Sequence, residues 1–257
     1  MRPRRDSTVA GRWPVDKERA RRVRQAIDAR ALTDGMPPTV RHVCLACVDS
    51  LKMSGAGVIL TSTMGLCAPA YASDPRAEQL AELQITVGEG PGAEAVRADR
   101  PVLVPDLRAA DALRRWPMFA AQADALGVRA VFVFPLAIGA ISVGVFEVSR
   151  DTPGWLAPEN TADALLFADA ALMVTLEPGD SATAGATGDG LVERWAEIHQ
   201  ATGMISAQLE VGLAQAFVRL RAYSFAHERR LGEVAGDVVA RRLRFERDRQ
   251  AGPDSTR

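Results

Sequence analysis

The stretch "LRAYSFAHERRL", residues 220–231, carries the side chains best suited to contact a nucleic acid. Arg221 and Arg229 lie eight residues apart, so they would share one face if a helix continued between them. Arg230 adds a third guanidinium, while Tyr223 and Ser224 supply an aromatic ring and a hydroxyl. Guanidinium groups pair with phosphates, and aromatic rings stack on unpaired bases. The pattern indicates an RNA-contacting surface, with the solvated face of an ordinary helix as the alternative.

The glycine-rich stretch "GEGPG", residues 88–92, is the nearest match to a phosphate-binding loop. A Walker loop needs Lys followed by Ser or Thr after its last glycine, whereas Ala93 and Glu94 follow here. A dinucleotide-binding fingerprint needs a strand immediately before it, whereas a helical pattern precedes this one. We therefore predict a tight turn that leads into a short helix at 93–98.

The stretch "HVCLAC" places His42, Cys44 and Cys47 close together. These positions do not converge on one face of a helix, and Cys67 is the one further cysteine, so a four-ligand zinc site is not expected. Buried structural thiols are predicted, with a redox-active CxxC pair as the alternative. None of the histidines lies in a recognisable catalytic context. We expect no catalytic residues, metal or cofactor, and we expect that the chain is not an enzyme.

Composition sets the wider limits. The chain has 257 residues, of which 47% are hydrophobic and 25% charged, so one or two domains with sizeable cores are expected. There is no apolar run of eighteen residues and no secretory leader pattern, which argues against a membrane span or export. Three cysteines, an odd number, suggest the reducing cytoplasm. The formal charge is about +5 over 1–35, −8 over 36–190 and +2 over 191–250, which permits an acidic sensor body with a basic effector end.

The elements upstream of residue 178 predict an α+β fold, in which helices flank a mixed or antiparallel sheet of about five or six strands. "AGVILTS" and "GLCAPAYA" predict a hairpin, "PVLVPDL" a short strand, and "VRAVFVFPLAIGAISVGVFEVS" two central strands hinged at 138–140. Helical patterns are found at 16–30, 39–51, 74–84 and 158–177.

Downstream of a small, polar, glycine-rich segment at 178–190, which we interpret as a flexible linker, the pattern is helical throughout. Three amphipathic helices predict a small all-α bundle. The first carries a coiled-coil-like seam with 4-3-4-3-4 spacing, formed by Leu191, Trp195, Ile198, Thr202, Ile205 and Leu209. A bundle of about sixty residues is marginally stable alone and would gain from docking or dimerising.

This helical end resembles the ANTAR domain, a three-helix RNA-binding module of bacterial antiterminators. The resemblance covers 194–244 without a gap, and we place the domain at 191–250. Its matching positions are Ala201, Gly203, Ala216-Phe217, Leu220-Arg221, Ser224, Arg229, Leu231 and Val234-Ala235. The resemblance implies that Arg221, Ser224 and Arg229 are the main RNA contacts. Tyr223 and Arg230 are secondary candidates.

Thr202 departs from the family pattern, which usually has lysine between the residues that match Ala201 and Gly203. We keep Thr202 among the candidate RNA-binding positions. Loss of one phosphate contact there would lower the salt slope of binding by roughly 0.7 on single-stranded RNA or about 0.9 on a duplex. Because Thr202 also lies on the apolar seam, a role in dimer packing is the alternative.

Residues 36–177 resemble a GAF domain, a small-molecule-sensing α/β fold, and 1–35 form a basic helical extension before it. "YASD", "LQITVGEGPGAEAV", "PVLVPDL", "RWPMFAAQADALGVRAVFVFPL" and "ISVGVFEVSR" carry this resemblance. Together the two resemblances imply a cytoplasmic, homodimeric regulator of transcription antitermination. An unidentified small molecule or protein would signal through the GAF-like domain, and the output would bind paired short hairpins in nascent transcripts. The alternative is a protein-interaction or dimerisation module that does not bind RNA.

Overall fold

The computed structural model describes residues 16–62, 65–177 and 191–246, with backbone only at 65–67 and 191–193. It contains two units, which we call the sheet unit (16–177) and the three-helix bundle (191–239). The segments assigned by sequence to the start of the N-terminal extension (1–15) and to the linker (178–190) lie outside the described residues.

The sheet unit is built on five antiparallel strands in the order β2-β1-β5-β4-β3. The predicted hairpin and the two central strands are confirmed, as is the short strand at the sheet's edge. The sheet is antiparallel throughout rather than mixed. The strands are β1 (Gly55–Ser62), β2 (Gly65–Ala72), β3 (Val102–Val104), β4 (Ala130–Ile138) and β5 (Ile141–Arg150).

Seven helices flank the sheet among the described residues, and five of them correspond to predicted helices. No helix or strand is predicted from the sequence at 110–125, where the structure has two short helices. The helices are α1 (Lys17–Asp34), α2 (Val40–Leu51), α3 (Pro75–Val87), α4 (Pro91–Ala98), α5 (Ala110–Arg115), α6 (Pro117–Ala125) and α7 (Pro158–Leu176).

Two apolar cores lie on opposite faces of the sheet. The alternation of β5 shows how the chain builds them: Phe146 and Val148 face the core under α1, α2 and α7, while Val145 faces the core under α3 and α4. Both faces of the central strands are therefore covered, which explains their nearly continuous apolar sequence.

Local sequence fixes both ends of α3. Asp74 caps the N-terminus by accepting hydrogen bonds from the amides of Arg76 and Ala77 (2.9 and 3.1 Å), and Pro75 opens the first turn. Gly88 ends the helix in the left-handed conformation with φ of 74°. The turn predicted from "GEGPG" is thus confirmed, although α3 runs on to Val87 and α4 begins at Pro91, two residues before the predicted start.

The bundle consists of α8 (Leu191–Leu209), α9 (Leu213–Ala226) and α10 (Leu231–Val239), which confirms the three predicted helices. The described seam residues of α8 face the interior of the bundle, where Trp195, Ile198 and Ile205 share one core with residues of α10. That core is continuous with the one under α3 and α4, because the bundle packs against α3 and β2.

Arg221 and Arg229 would share one face only if a helix continued between them, and no continuous helix joins them. Helix α9 ends at Ala226, and Glu228 adopts a left-handed φ of 51°. A left-handed residue reverses the helical path. The two arginines therefore do not share one helical face.

Cys44 and Cys47 are fully buried, which confirms the prediction for these two thiols; the side chain of Cys67 lies outside the described residues. Burial raises the pKa of both thiols, which disfavours the reactive thiolate. Within 16–62, 65–177 and 191–246, no cluster of His, Cys, Asp or Glu is arranged to hold a metal ion. In the same ranges no helix is long and apolar enough to cross a bilayer.

Candidate nucleic-acid interface

The outward face of α3 is the surface against which the bundle arginines lie. Glu78, Glu82 and Thr86 are spaced four residues apart, so they form one stripe along this helix. The two glutamates present carboxylates, and Thr86 presents its backbone carbonyl near the helix C-terminus, where the helix dipole is negative. The stripe is therefore suited to hold cations, and three arginines of the bundle contact it.

Arg230 makes the most extensive of these contacts. Its Nε and one terminal nitrogen both donate to Oε2 of Glu82, at 3.1 and 2.7 Å. The other carboxylate oxygen, Oε1, accepts the backbone N–H of Leu231 at 2.9 Å. Leu231 is the first residue of α10, so its amide has no acceptor within that helix. Glu82 thus binds the arginine and caps the positive end of α10 with one carboxylate.

Arg194 of α8 donates to Oε1 of Glu78 at 2.6 Å, and Arg230 also approaches that carboxylate, at 3.9 Å. Sequence reasoning missed Arg194 because it lies far from the arginine-rich stretch. The sequence offered one hint of its role, because Arg194 is the only arginine or lysine in the sequence of α8.

Arg221 contacts α3 without a carboxylate. Its Nε donates to the carbonyl of Thr86 at 3.0 Å, and its guanidinium lies against Gly88, where an added Cβ would overlap it. Burial lowers the pKa of Arg221. An open groove of about 260 Å³ adjoins the guanidinium and is lined mainly by apolar side chains. Its other lining residues are Thr86, Val87, Met118, Val218, Ala222 and Phe225.

Arg229 points back into the bundle. Its guanidinium donates to Asp237 of α10 at 2.7 Å and lies 3.9 Å from Glu233. The hydrogen bond from Arg229, assisted by one from Arg242, lowers the pKa of Asp237. Arg229 therefore holds the turn after α9 against α10 and is not aligned with Arg221.

Tyr223 packs among aromatic neighbours on the bundle surface. Its ring stacks on His227 with a centroid separation of 3.8 Å and meets Phe245 edge-on at 5.4 Å. One face of this ring is therefore already occupied within the chain.

Thr202 and Ser224 are both buried. The Thr202 hydroxyl donates to the carbonyl of Ile198 one turn earlier, at 2.8 Å. The Ser224 hydroxyl makes no hydrogen bond in the structure although it is fully buried. Contact between either side chain and RNA would require the helices around it to move.

The structure therefore brings Arg221 and Arg230 together on one face, with Arg194 as an addition. Their acceptors on α3, Thr86 and Glu82, are about one helical turn apart, a rise of about 6 Å. The other candidates lie apart from that pair. Arg229 pairs with Asp237, and Tyr223 stacks on His227. Thr202 and Ser224 are buried in the interior of the bundle.

The family comparison bears directly on this helical segment. Residues 192–239 match the family model of the ANTAR domain. The ANTAR match begins one residue into α8 and ends at the last residue of α10, so it coincides with the three-helix bundle. Every candidate RNA-binding residue falls inside the ANTAR segment.

The sheet unit upstream of the ANTAR segment resembles GAF domains of solved structures. One is the GAF domain of an Acinetobacter phosphoenolpyruvate-protein phosphotransferase, at 12% identity, covering 61% of this chain and 89% of that one, with a TM-score of 0.40. The GAF domain of a phosphoenolpyruvate-protein phosphotransferase from Coxiella burnetii is 13% identical, and the match covers 61% of this chain and 89% of that one with a TM-score of 0.41. Among curated proteins, no sequence matches the chain.

Proposed function

We propose that this chain is a signal-responsive regulator of transcription antitermination. In this proposal the ANTAR bundle binds paired short hairpins in a nascent transcript, so that a terminator hairpin does not form. The sheet unit receives a small-molecule or protein signal and shifts the population of binding-competent chains, which act as homodimers in the cytoplasm.

The observation that carries the proposal is the coincidence of the ANTAR match with a bundle that presents Arg221 and Arg230 on one face. The α3 residues that hold these two guanidinium groups are about one helical turn apart, a spacing at which two arginines can engage neighbouring phosphates of an RNA strand. We propose that Arg229 and Tyr223 also contact the RNA, because Arg229 precedes Arg230 in the α9–α10 turn and Tyr223 lies in the last turn of α9. Thr202 and Ser224 stay predicted contacts that need a rearranged bundle.

The test is filter binding of the full chain to an RNA with two short hairpins, measured across a range of salt concentrations. We expect the double variant Arg221→Ala/Arg230→Ala to lose affinity and to lower the magnitude of the salt slope by roughly 1.4 to 1.8, since two phosphate contacts are removed. An RNA with one hairpin should bind more weakly than the paired form.

The matched control is the double variant Arg108→Ala/Arg114→Ala, which removes two exposed guanidinium groups from the sheet unit, where they pair with Asp124 and Asp111. Its salt slope should equal that of the wild type. If the control and the Arg221/Arg230 variant bind alike, the proposed RNA surface is wrong.

A second candidate function, association through protein contacts alone, is favoured by the exposed side of α9. Val218, Ala222 and Phe225 follow i, i+4, i+7 spacing, and Val218 and Phe225 are 57% and 40% exposed. Such an apolar stripe is typical of a helix that packs against a partner.

Sedimentation at several salt concentrations separates the two functions. Self-association that persists at high salt, is lost in Phe225→Glu, and is accompanied by no RNA binding would favour the second. Steeply salt-dependent RNA binding favours the first.

A further inference from the structure

We propose that the outward face of α3 masks the RNA-binding surface, so that RNA and the sheet unit compete for the same arginines. This inference rests on the proposed RNA-binding function and specifies how it is regulated. The structure shows the docked state, in which Arg221 and Arg230 are both engaged by α3. RNA binding would then require the bundle to leave that helix.

The contacts of Glu82 support direct competition. One of its oxygens accepts two hydrogen bonds from Arg230, and the other accepts the Leu231 amide at the start of α10. An RNA phosphate makes the same kinds of contact with guanidinium groups and helix N-termini. The carboxylate and a phosphate therefore cannot occupy this position together, because the same donors would serve both.

The position of Arg221 supports a mask on steric grounds. Its guanidinium is wedged between Thr86 and Gly88, and its Nε proton is used by the Thr86 carbonyl. Burial beside α3 leaves too little space for a phosphate to approach Nε while the bundle is docked. The acidic sheet unit and the basic bundle arginines also attract each other over a wider area, since Glu78 holds Arg194 as well.

The opposite face of α3 supplies a route for a signal. Gln84 is buried there, donates to Glu147 of β5 at 2.5 Å and accepts the Gly92 amide of α4 at 2.7 Å. A change in the core under α3 that moves Gln84 also moves Thr86, since the two residues are half a turn apart on a rigid helix. Helix α3 therefore contacts both the core of the sheet unit and the bundle, so that a change in either one can shift the position of this helix.

With a mask of this kind, the apparent RNA affinity is the intrinsic affinity multiplied by the fraction of chains that are undocked. Weakening the docked state raises that fraction without touching a proposed RNA contact. The sharpest variant is Glu78→Ala/Glu82→Ala in the full chain, because both side chains lie on a helix surface where alanine is the best helix former. Its matched control is Glu94→Ala/Asp111→Ala, which removes the same charge and also breaks pairs with an arginine, Arg115, but within the sheet unit.

Two measurements are made on each chain. Exchange of the Arg221 Nε proton with water, followed by NMR, reports docking, since its acceptor is the Thr86 carbonyl of α3, which the Glu78/Glu82 substitutions leave in place. Filter binding to the paired-hairpin RNA reports masking. We expect the Glu78/Glu82 variant to exchange faster at the Arg221 Nε proton and to bind RNA about tenfold more tightly, within the range of coupling between sites. The control should match the wild type in exchange and change affinity by less than about twofold.

Three outcomes would overturn the mask. Unchanged exchange at the Arg221 Nε proton shows that the acidic side chains do not hold the bundle. Faster exchange with the affinity of the control shows that docking does not hide the RNA surface. Absence of RNA binding by wild type, variant and control removes the proposed function, and the mask with it. Exchange at Arg221 distinguishes the last case, because docking is then still seen without any RNA binding to regulate.

Discussion

The inner and outer faces of α3 place carboxyl groups in opposite surroundings. On the inner side, Glu147 of β5 is buried and its hydrogen-bond partner is the neutral Gln84. On the outer side, Glu78 and Glu82 are partly exposed and bind the cationic Arg194 and Arg230. Burial raises the pKa of Glu147 to about 7, whereas the outer pairs join opposite charges at the surface.

The difference shows how one helix makes a buried contact on one side and a partly exposed contact on the other. A buried carboxyl without a cation makes the inner contact sensitive to protonation. Partly exposed ion pairs are individually weak, so the outer contact is reversible.

The largest effect is expected for Gln84→Leu. The substitution leaves the Glu147 carboxyl and the Gly92 amide without their partner, and each buried group left unpaired costs about 2 kcal/mol, for a total of about 4 kcal/mol. Urea denaturation at pH 8 measures this loss. Gln122→Leu, at an exposed position on α6, is the control and should change the free energy of unfolding by less than about 0.5 kcal/mol. Equal losses of unfolding free energy in the two variants would contradict the hydrogen bonds of Gln84 with Glu147 and Gly92.

Glu147→Gln should stabilise the fold at high pH. The pKa of Glu147 in the folded chain, about 7, lies above the 4.5 of a free glutamate. The folded chain therefore binds more protons between these values, so stability falls as pH rises from about 4.5 to 7 and stays lowered above that. Glutamine keeps the acceptor for Gln84 and removes the charge. We expect a gain of about 3 kcal/mol at pH 8 and little change at pH 4.5.

Denaturant unfolding at the two pH values checks the Glu147→Gln prediction. Glu94→Gln serves as the control, because Glu94 pairs with Arg115 at 2.5 Å and gains nothing from neutralisation. A stabilisation that is the same at pH 4.5 and pH 8 would show that Glu147 does not titrate as described.

Gly88→Ala should destabilise the chain by about 2 kcal/mol. Part of this cost arises because alanine disfavours the left-handed backbone of Gly88, a conformation that Gly35 also adopts with φ of 65°. The other part arises because the added Cβ would overlap Arg221. Gly35→Ala is thus a matched control, since nothing lies near its added Cβ, and we expect a loss of about 1 kcal/mol there. Adding Arg221→Ala to Gly88→Ala should relieve the overlap, and thermal melts of the wild type and the three variants test this. A Gly88→Ala cost equal to that of Gly35→Ala would place Arg221 away from α3.

Ser224→Ala is expected to have the smallest effect, a change within about 1 kcal/mol that favours the folded state, because the hydroxyl is buried without a hydrogen bond. Ser206→Ala is the control, since its hydroxyl donates to the Val211 carbonyl at 2.6 Å and should cost about 1 kcal/mol when removed. Stability is measured by denaturation and RNA affinity by filter binding. Loss of RNA affinity in Ser224→Ala with unchanged stability would show that the bundle rearranges on binding.

Much of the fold was predictable because its signals are local. Proline, glycine and aspartate mark both ends of α3, and the apolar strand patterns predicted the antiparallel hairpins. The helices at 110–125 were missed because both are short and have no strong apolar periodicity. Whether a helix continued from Arg221 to Arg229 was left open by the sequence, because spacing alone does not reveal that Glu228 turns the chain after Ala226.

The candidate site was predictable only in its residue types. The sequence indicated Arg221 and Arg230, but it gave no sign that Arg194 would join them or that Arg229 would bind Asp237. Thr202 lies on the predicted apolar seam, but nothing indicated that Ser224 would be buried with it, since burial depends on how three helices pack rather than on any one of them.

By itself, the sequence determined the order of the strands and of most helices, and the basic residues at the C-terminal end. These properties follow from periodicity, capping and charge, which act over a few neighbouring residues. Only the tertiary structure decided that α3 carries both a buried carboxyl contact and the surface that holds the bundle. Glu82 and Arg230 are 148 residues apart, and Gln84 and Glu147 are 63 apart. Contacts at such separations arise when the chain packs its apolar faces together, and no local pattern specifies them.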